Sequence, residues 1–259
     1  MPDKIRHLLN YPTSCQRRVT AGNPLRNKYT GCMRSCLQSG VGRLCWTVLA
    51  CFLVGMGTVL AGPDFDRLLH SLTQRFGAAS QTTYDDWRKI VEDGQNLSDT
   101  EKLRQVNQFF NRRIRFGDDK QIWGQADYWA TPMETLGKAA GDCEDFAIAK
   151  YFTLRSLNVA TGKLRLVYVR ARFGGPSSQI AQAHMVLTYY ATPDAEPLVL
   201  DSLINDIRPA SRRPDLSPVY SFNSDGLWVG AAPSPTTGGL GRLSRWQDLL
   251  RRARDEGFE

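Results

Sequence analysis

The chain has 259 residues, 42% hydrophobic and 23% charged, a balance that excludes a disordered or fibrous protein and suffices for one buried core. The net charge of +7 would suit a nucleic-acid binder if it were spread over the fold. It is not: residues 1–61 hold eight Lys/Arg and one acid, which leaves 25 of each sign in residues 62–259. The body is neutral, and no nucleic-acid footprint is expected there.

The basic leader runs into LCWTVLACFLVGMGTVLA, residues 44–61, 18 residues without a charge behind Arg34 and Arg43. A basic stretch followed by an apolar one, closed by Val59-Leu60-Ala61, reads as an export signal; at this length the alternative is a retained membrane anchor. The basic stretch is long if translation starts at Met1, and Met33 would give a more usual signal. Five of the six cysteines fall in this leader, so the exported body keeps only Cys143. In an oxidising compartment that thiol has no intramolecular disulfide partner, and it is either packing or reactive.

Beyond the leader, DFDRLLHSLTQRFG predicts an amphipathic helix with Phe65, Leu68, Leu69, Leu72 and Phe76 on one stripe and His70 off it, in solvent. YDDWRKIVEDG predicts a second short helix. Ser98-Asp99-Thr100-Glu101 has the form of a capping box and opens a third, with Leu103, Val106, Phe109 and Phe110 as its apolar face. Residues 117–141 read as irregular; their aromatics Trp123, Tyr128 and Trp129 are assigned to packing ahead of a substrate groove or partner face. Asp142 is an N-cap candidate with Asp145 at the third helical position, and the helix to about Asn158 is apolar nearly all round, hence interior.

Three strand-like segments follow, over 163–173, 182–191 and 197–203, joined by GGPSSQ and TPDAE turns. Short connections favour antiparallel neighbours, and a buried helix followed by such a sheet is an α+β arrangement. Residues 231–241 read as a flexible linker, and LSRWQDLLRRARDEG as a basic helix or tail with a solvated face. The expected division is therefore a leader (1–61), one domain (62–230) and a linker with a terminal helix (231–259).

Chemistry narrows to three side chains. A helix N-terminus stabilises a thiolate at Cys143. His184, inside the second strand segment, can accept its proton, and Asp201, at the end of the third, can orient the imidazole. Each residue also has a plain alternative: an inert packed thiol, a structural imidazole, an acid starting a turn. Spacing alone does not choose. Three acids around the thiol (Asp142, Glu144, Asp145) should suppress its ionisation, and on residue types alone Asp142 and Asp145 cap the helix while Glu144 is solvated. The chain has no HExxH and no glycine-rich phosphate loop, which removes the zinc-peptidase and nucleotide-binding readings.

The segments GDCEDFAIAKY, QAHMVL and LVLDSL, with DYWATPMETL before them and PVYSFNSDGLW after, resemble the bacterial transglutaminase-like cysteine proteinases of the LapG family, in order through most of 84–228. The resemblance implies a papain-like, transglutaminase-like fold with the cysteine helix packed on an antiparallel sheet. It implies Cys143 as nucleophile, His184 as general base and acid, and Asp201 as orienting carboxylate. It also implies a Ca²⁺ requirement, with Asp142 and Glu144 as ligands and others from the loop around Thr161 to Leu164. Family members are periplasmic, cut a large surface adhesin near its N-terminus at a pair of alanines, and so disperse biofilm. A LapD-type inner-membrane receptor responsive to cyclic di-GMP restrains them. Two rivals keep the fold: a protein cross-linking transglutaminase, and a binding module without activity.

Overall fold

The computed structural model describes residues 62–174, 179–230, 234–236 and 238–258. The export signal or anchor and the start at Met1 or Met33 lie outside the described residues, as does part of the expected linker. Among the described residues no helix is long and apolar enough to cross a membrane.

Three helices open the body: α1 (Phe65–Phe76), α2 (Gln81–Asp93) and α3 (Asp99–Arg113). Their stripes bury Leu68 and Leu72, then Tyr84, Trp87 and Val91, then Leu103, Val106 and Phe110, and His70 is exposed as its position off the stripe requires. The capping box at Ser98 forms in full: Glu101 N–H donates to Ser98 Oγ, and Ser98 N–H donates to Glu101 Oε2.

The stretch 117–141 is more regular than its composition suggests. It follows the two-residue strand β1 (Arg115–Phe116) and contains a turn of helix α4 (Asp119–Ile122), helix α5 (Pro132–Lys138) and strand β2 (Ala140–Gly141), which pairs in parallel with β1. Helix α5 carries its own signal, a Thr131/Glu134 capping box with Pro132 in the first turn. Ala139, left-handed at φ 47°, ends it and turns the chain into β2.

Helix α6 (Cys143–Ser156) starts two residues later and is enclosed on all sides. It lies on a six-stranded antiparallel sheet made of β3 (Leu164–Arg172), β4 (Ala181–Tyr189), β5 (Leu198–Leu200), β6 (Arg208–Pro209), β7 (Leu216–Phe222) and β8 (Leu227–Val229). The spatial order is β6-β5-β4-β3-β7-β8, so the three expected strands are neighbours in chain order, while β7 adds to the other side of β3. Alternate residues sort to two faces. Leu166, Tyr168, Met185 and Leu187 join the helices in the main core, and Val167, Val169, Val186 and Val199 form a smaller cluster on the other face. The third expected strand is shorter than 197–203: pairing stops at Leu200, which leaves Asp201 just past the strand end.

The terminal segment is a helix, one of the two forms expected of it, but it is packed into the fold and does not stand apart from it. Helix α7 (Ser244–Glu256) presents Trp246, Leu249 and Ala253 to the main core, at i, i+3 and i+7. The Trp246 ring meets Tyr151 and Phe152 of α6 and Phe222 of β7 at centroid distances of 5.7, 6.1 and 5.3 Å. Arg252 Nη1 donates to the buried Glu134 at 2.7 Å, and Glu256 accepts from Thr131 Oγ1 at 2.8 Å, tying the helix to α5. The charges that made this helix look like a tail lie on its outer side or enter these ion pairs.

Candidate catalytic centre and acidic cluster

Strand pairing and helix capping place the chemistry. The parallel β1–β2 pair delivers the chain to Asp142, whose carboxylate caps α6: its Oδ1 accepts from Glu144 N–H at 3.1 Å and Asp145 N–H at 3.4 Å. Asp145 returns the contact through Oδ2 to Asp142 N–H, and its Oδ1 accepts from Ala130 N–H at 2.8 Å. Cys143 is thus the first residue of an interior helix, partly exposed, at the positive end of the helix dipole.

His184 stands in β4 opposite Val169 of β3 and is almost fully buried. Its Nε2 lies 2.8 Å from Asp201 Oδ1. The third strand therefore brings its acid onto the imidazole of the second, and the remaining ring nitrogen, Nδ1, is the one available to a thiol. Asp201 is held low, despite burial that opposes ionisation, by its bonds to His184, Leu203 N–H and Arg213.

The sulfur completes this row only in part. Cys143 packs against the core cluster that includes Met185, one residue past the histidine, and the Met185 backbone favours the ionised sulfur, so the head of α6 lies against β4. The thiol's side-chain hydrogen bond, however, goes to Glu144 Oε2 at 2.7 Å and not to the imidazole, which differs from the continuous row expected from the sequence. Burial, then the charges of Glu144 and Asp142, push the thiol well above its ordinary range. The acids do suppress the thiolate when nothing offsets them.

Glu144 is not a solvated residue; it is buried, and so are Asp142 and Asp145. A fourth acid joins them that the sequence reading did not single out. Asp119, from the single turn α4, is 2% exposed, and its carboxylate lies with those of Asp142 and Asp145 so that one oxygen of each falls within 4.8 Å of the others. Asp142, Cys143 and Glu144 make a second group of the same kind. Burial, followed by the charges of Glu144, Asp145 and Asp119, pushes Asp142 up to about 10. Four buried acids with this mutual repulsion fit a hard cation that takes carboxylate oxygens. Asp142 is common to both groups; Glu144 stands with it in one, and Asp119 and Asp145 in the other, so these acids are the candidates to hold it.

The loop from Thr161 to Leu164 does not contribute. Its Thr161 and Leu164 carbonyls accept Asn223 Nδ2 at 3.1 and 2.9 Å. It also follows the far end of α6, whose 14 residues span about 20 Å. An ion at Asp142 is out of its reach. Of the aromatics, Trp129 is buried and stacked on Phe222, whereas Trp123 and Tyr128 are half-buried and pack on each other.

An antiparallel sheet, an interior helix headed by a cysteine, and a histidine–aspartate pair from adjoining strands define a cysteine proteinase of the transglutaminase-like class. Residues 80–218 match the family model described as bacterial transglutaminase-like cysteine proteinase. The solved structure of Legionella pneumophila LapG is similar at 36% identity and a TM-score of 0.62, over 74% of this chain and 99% of that one. The calcium-bound form of that protein matches at 38% identity and a TM-score of 0.61, over 71% of this chain and 96% of that one. Its EGTA-treated form matches at 36% and 0.64, over 74% and 100%. A search of curated proteins finds no significant match. The chain belongs to the LapG family of bacterial transglutaminase-like cysteine proteinases.

Proposed function

We propose that the protein is a calcium-dependent endopeptidase that works through Cys143, His184 and Asp201. The single observation that carries this is the His184–Asp201 hydrogen bond of 2.8 Å, formed in the sheet on which the head of the cysteine helix packs. In the cycle this supports, Cys143 gives its proton to His184 Nδ1 and the sulfur attacks the scissile carbonyl. The imidazolium protonates the leaving amine. His184 then takes a proton from water as the thioester is hydrolysed, and returns it to sulfur. The N–H groups of Asp142, Glu144 and Asp145 are used within the cap, which leaves the Cys143 N–H to receive the developing oxyanion.

Calcium dependence is supported by the acid cluster and by the calcium-bound and EGTA-treated relatives. Held by the acids around Asp142, with Glu144 and Asp119 among the candidates, a dication would supply positive charge beside the thiol and offset the field that otherwise keeps it protonated. Following the family, the substrate is a large surface adhesin, cut near its N-terminus at an Ala-Ala pair in the periplasm. Its release disperses biofilm, and a LapD-type receptor responsive to cyclic di-GMP restrains the enzyme. The test is incubation of the full chain with adhesin N-terminal fragments. EGTA is expected to abolish cleavage, and Ca²⁺ but not Mg²⁺ to restore it; full activity in excess chelator would sink the calcium requirement. Incorporation of a primary amine into a glutamine donor, without hydrolysis of the fragment, would make the protein a cross-linker instead.

A further inference from the structure

We propose that Arg213 is a positioning residue of the catalytic centre, locking the Asp201 carboxylate in the one orientation that presents Oδ1 to His184. This rests on the reading of Cys143, His184 and Asp201 as the catalytic residues. Asp201 is 1% exposed and uses both oxygens. Oδ1 lies 2.8 Å from His184 Nε2 and accepts from Leu203 N–H at 3.0 Å. Oδ2 accepts from Arg213 Nη2 at 2.7 Å. Without Arg213, Oδ2 would be a buried carboxylate oxygen with no donor, and the carboxylate would be free to turn toward other partners.

Arg213 is itself fixed. It is 6% exposed, and its Nε and Nη2 donate to Asp215 at 3.0 and 2.8 Å, so one guanidinium spans two carboxylates in its planar fork. The titratable and charged groups facing Asp201 are His184 from β4, Arg213 from the turn before β7 and Lys150 from α6; Asp215 lies on the far side of Arg213. Lys150 and Asn111 hold the Asp201 backbone carbonyl, at 3.1 and 2.8 Å, and leave the side chain to Arg213. A buried ion pair is weak evidence for stability, because desolvation offsets much of the attraction. Its place behind the imidazole points to orientation as its use.

The test takes the full chain in Ca²⁺ and compares wild type with Arg213→Met, Arg213→Lys and His184→Ala. Alkylation by iodoacetamide is followed on the Cys143 peptide by mass spectrometry, and the downfield proton resonance of the His184 ring N–H by NMR. Arg213→Met is expected to slow alkylation about tenfold, the scale on which outer partners of an active group act. It is also expected to move or lose the downfield resonance, and Arg213→Lys to recover most of both. Wild-type rate and resonance in a folded Arg213→Met protein would overturn the proposal, provided His184→Ala is slow. A His184→Ala protein alkylated like wild type would instead remove the catalytic reading beneath it. Should Arg213→Met not fold, Asp215→Asn decides: releasing Arg213 from its outer carboxylate shifts the resonance if Arg213 acts through Asp201, and an unmoved resonance would overturn the proposal.

Discussion

Replacing Trp246 with alanine removes the side chain that seats the terminal helix on the catalytic one. The ring is fully buried and meets three others, Tyr151 and Phe152 on α6 and Phe222 on β7. Its Nε1 has no hydrogen-bond partner among the described residues, so the substitution loses packing without orphaning a polar group. Deleting a buried Trp costs about 3–5 kcal/mol, which includes the cavity left behind and the aromatic contacts. With a urea slope of about 3 kcal/mol per molar, the unfolding midpoint should fall by about 1–1.7 M. Far-UV circular dichroism is the assay, because tryptophan fluorescence would itself change. A fall below about 0.3 M would show that α7 is a peripheral tail, and would refute the placement of Trp246 in the core.

Two further substitutions probe the helix that carries the thiol. A Cβ on Gly141 would lie 2.7 Å from the Asp145 Cβ, so Gly141→Ala should push Asp145 off the Asp142 and Ala130 N–H groups. A loss of about 1–3 kcal/mol is expected in thermal or urea melts, and a melt equal to wild type would contradict the close fit. Burial pulls Lys150 down from 10.5 to about 7. Between those values the unfolded chain holds a proton that the folded one has released, so this residue makes stability rise with pH from about 7 to about 10.5, with no slope below. Urea midpoints at pH 7 and 9.5 should show the rise in wild type and lose that part of it in Lys150→Met; equal slopes would contradict it. Finally, Asp119→Asn should weaken calcium binding measured by calorimetry, whereas unchanged affinity would remove Asp119 from the site.

Much of the site was legible before any coordinates, because it sits where local rules are strong. Ser98 and Asp142 were readable as caps from their own side chains and the acid three residues on, and both capping boxes form. The all-round apolar pattern of 146–157 marked an interior helix, and short turns marked 163–200 as adjacent antiparallel strands. What escaped notice depends on distant partners. Strand β7 contains Pro218 and a register break beside it, which hid its pattern. Asp119 and Arg213 lie in turns among other charges, where a charged residue ordinarily faces water; only folding shows one beside Asp142 and the other behind Asp201. Helix α7 was an expected alternative, but its docking on the core was masked by its arginines, although Trp246, Leu249 and Ala253 already trace a stripe. Helix α5 was the avoidable miss, since Thr131, Pro132 and Glu134 spell its start.

The most direct measurement is cleavage of an adhesin N-terminal fragment by the full chain in Ca²⁺, comparing wild type with Cys143→Ala, His184→Ala and Asp201→Asn, each checked for an unchanged melt. Wild type should yield two fragments. Cys143→Ala and His184→Ala should yield none, and Asp201→Asn should be slowed by orders of magnitude. Wild-type cleavage by folded Cys143→Ala protein would contradict the assignment of the sulfur as nucleophile, and with it the reading of this site.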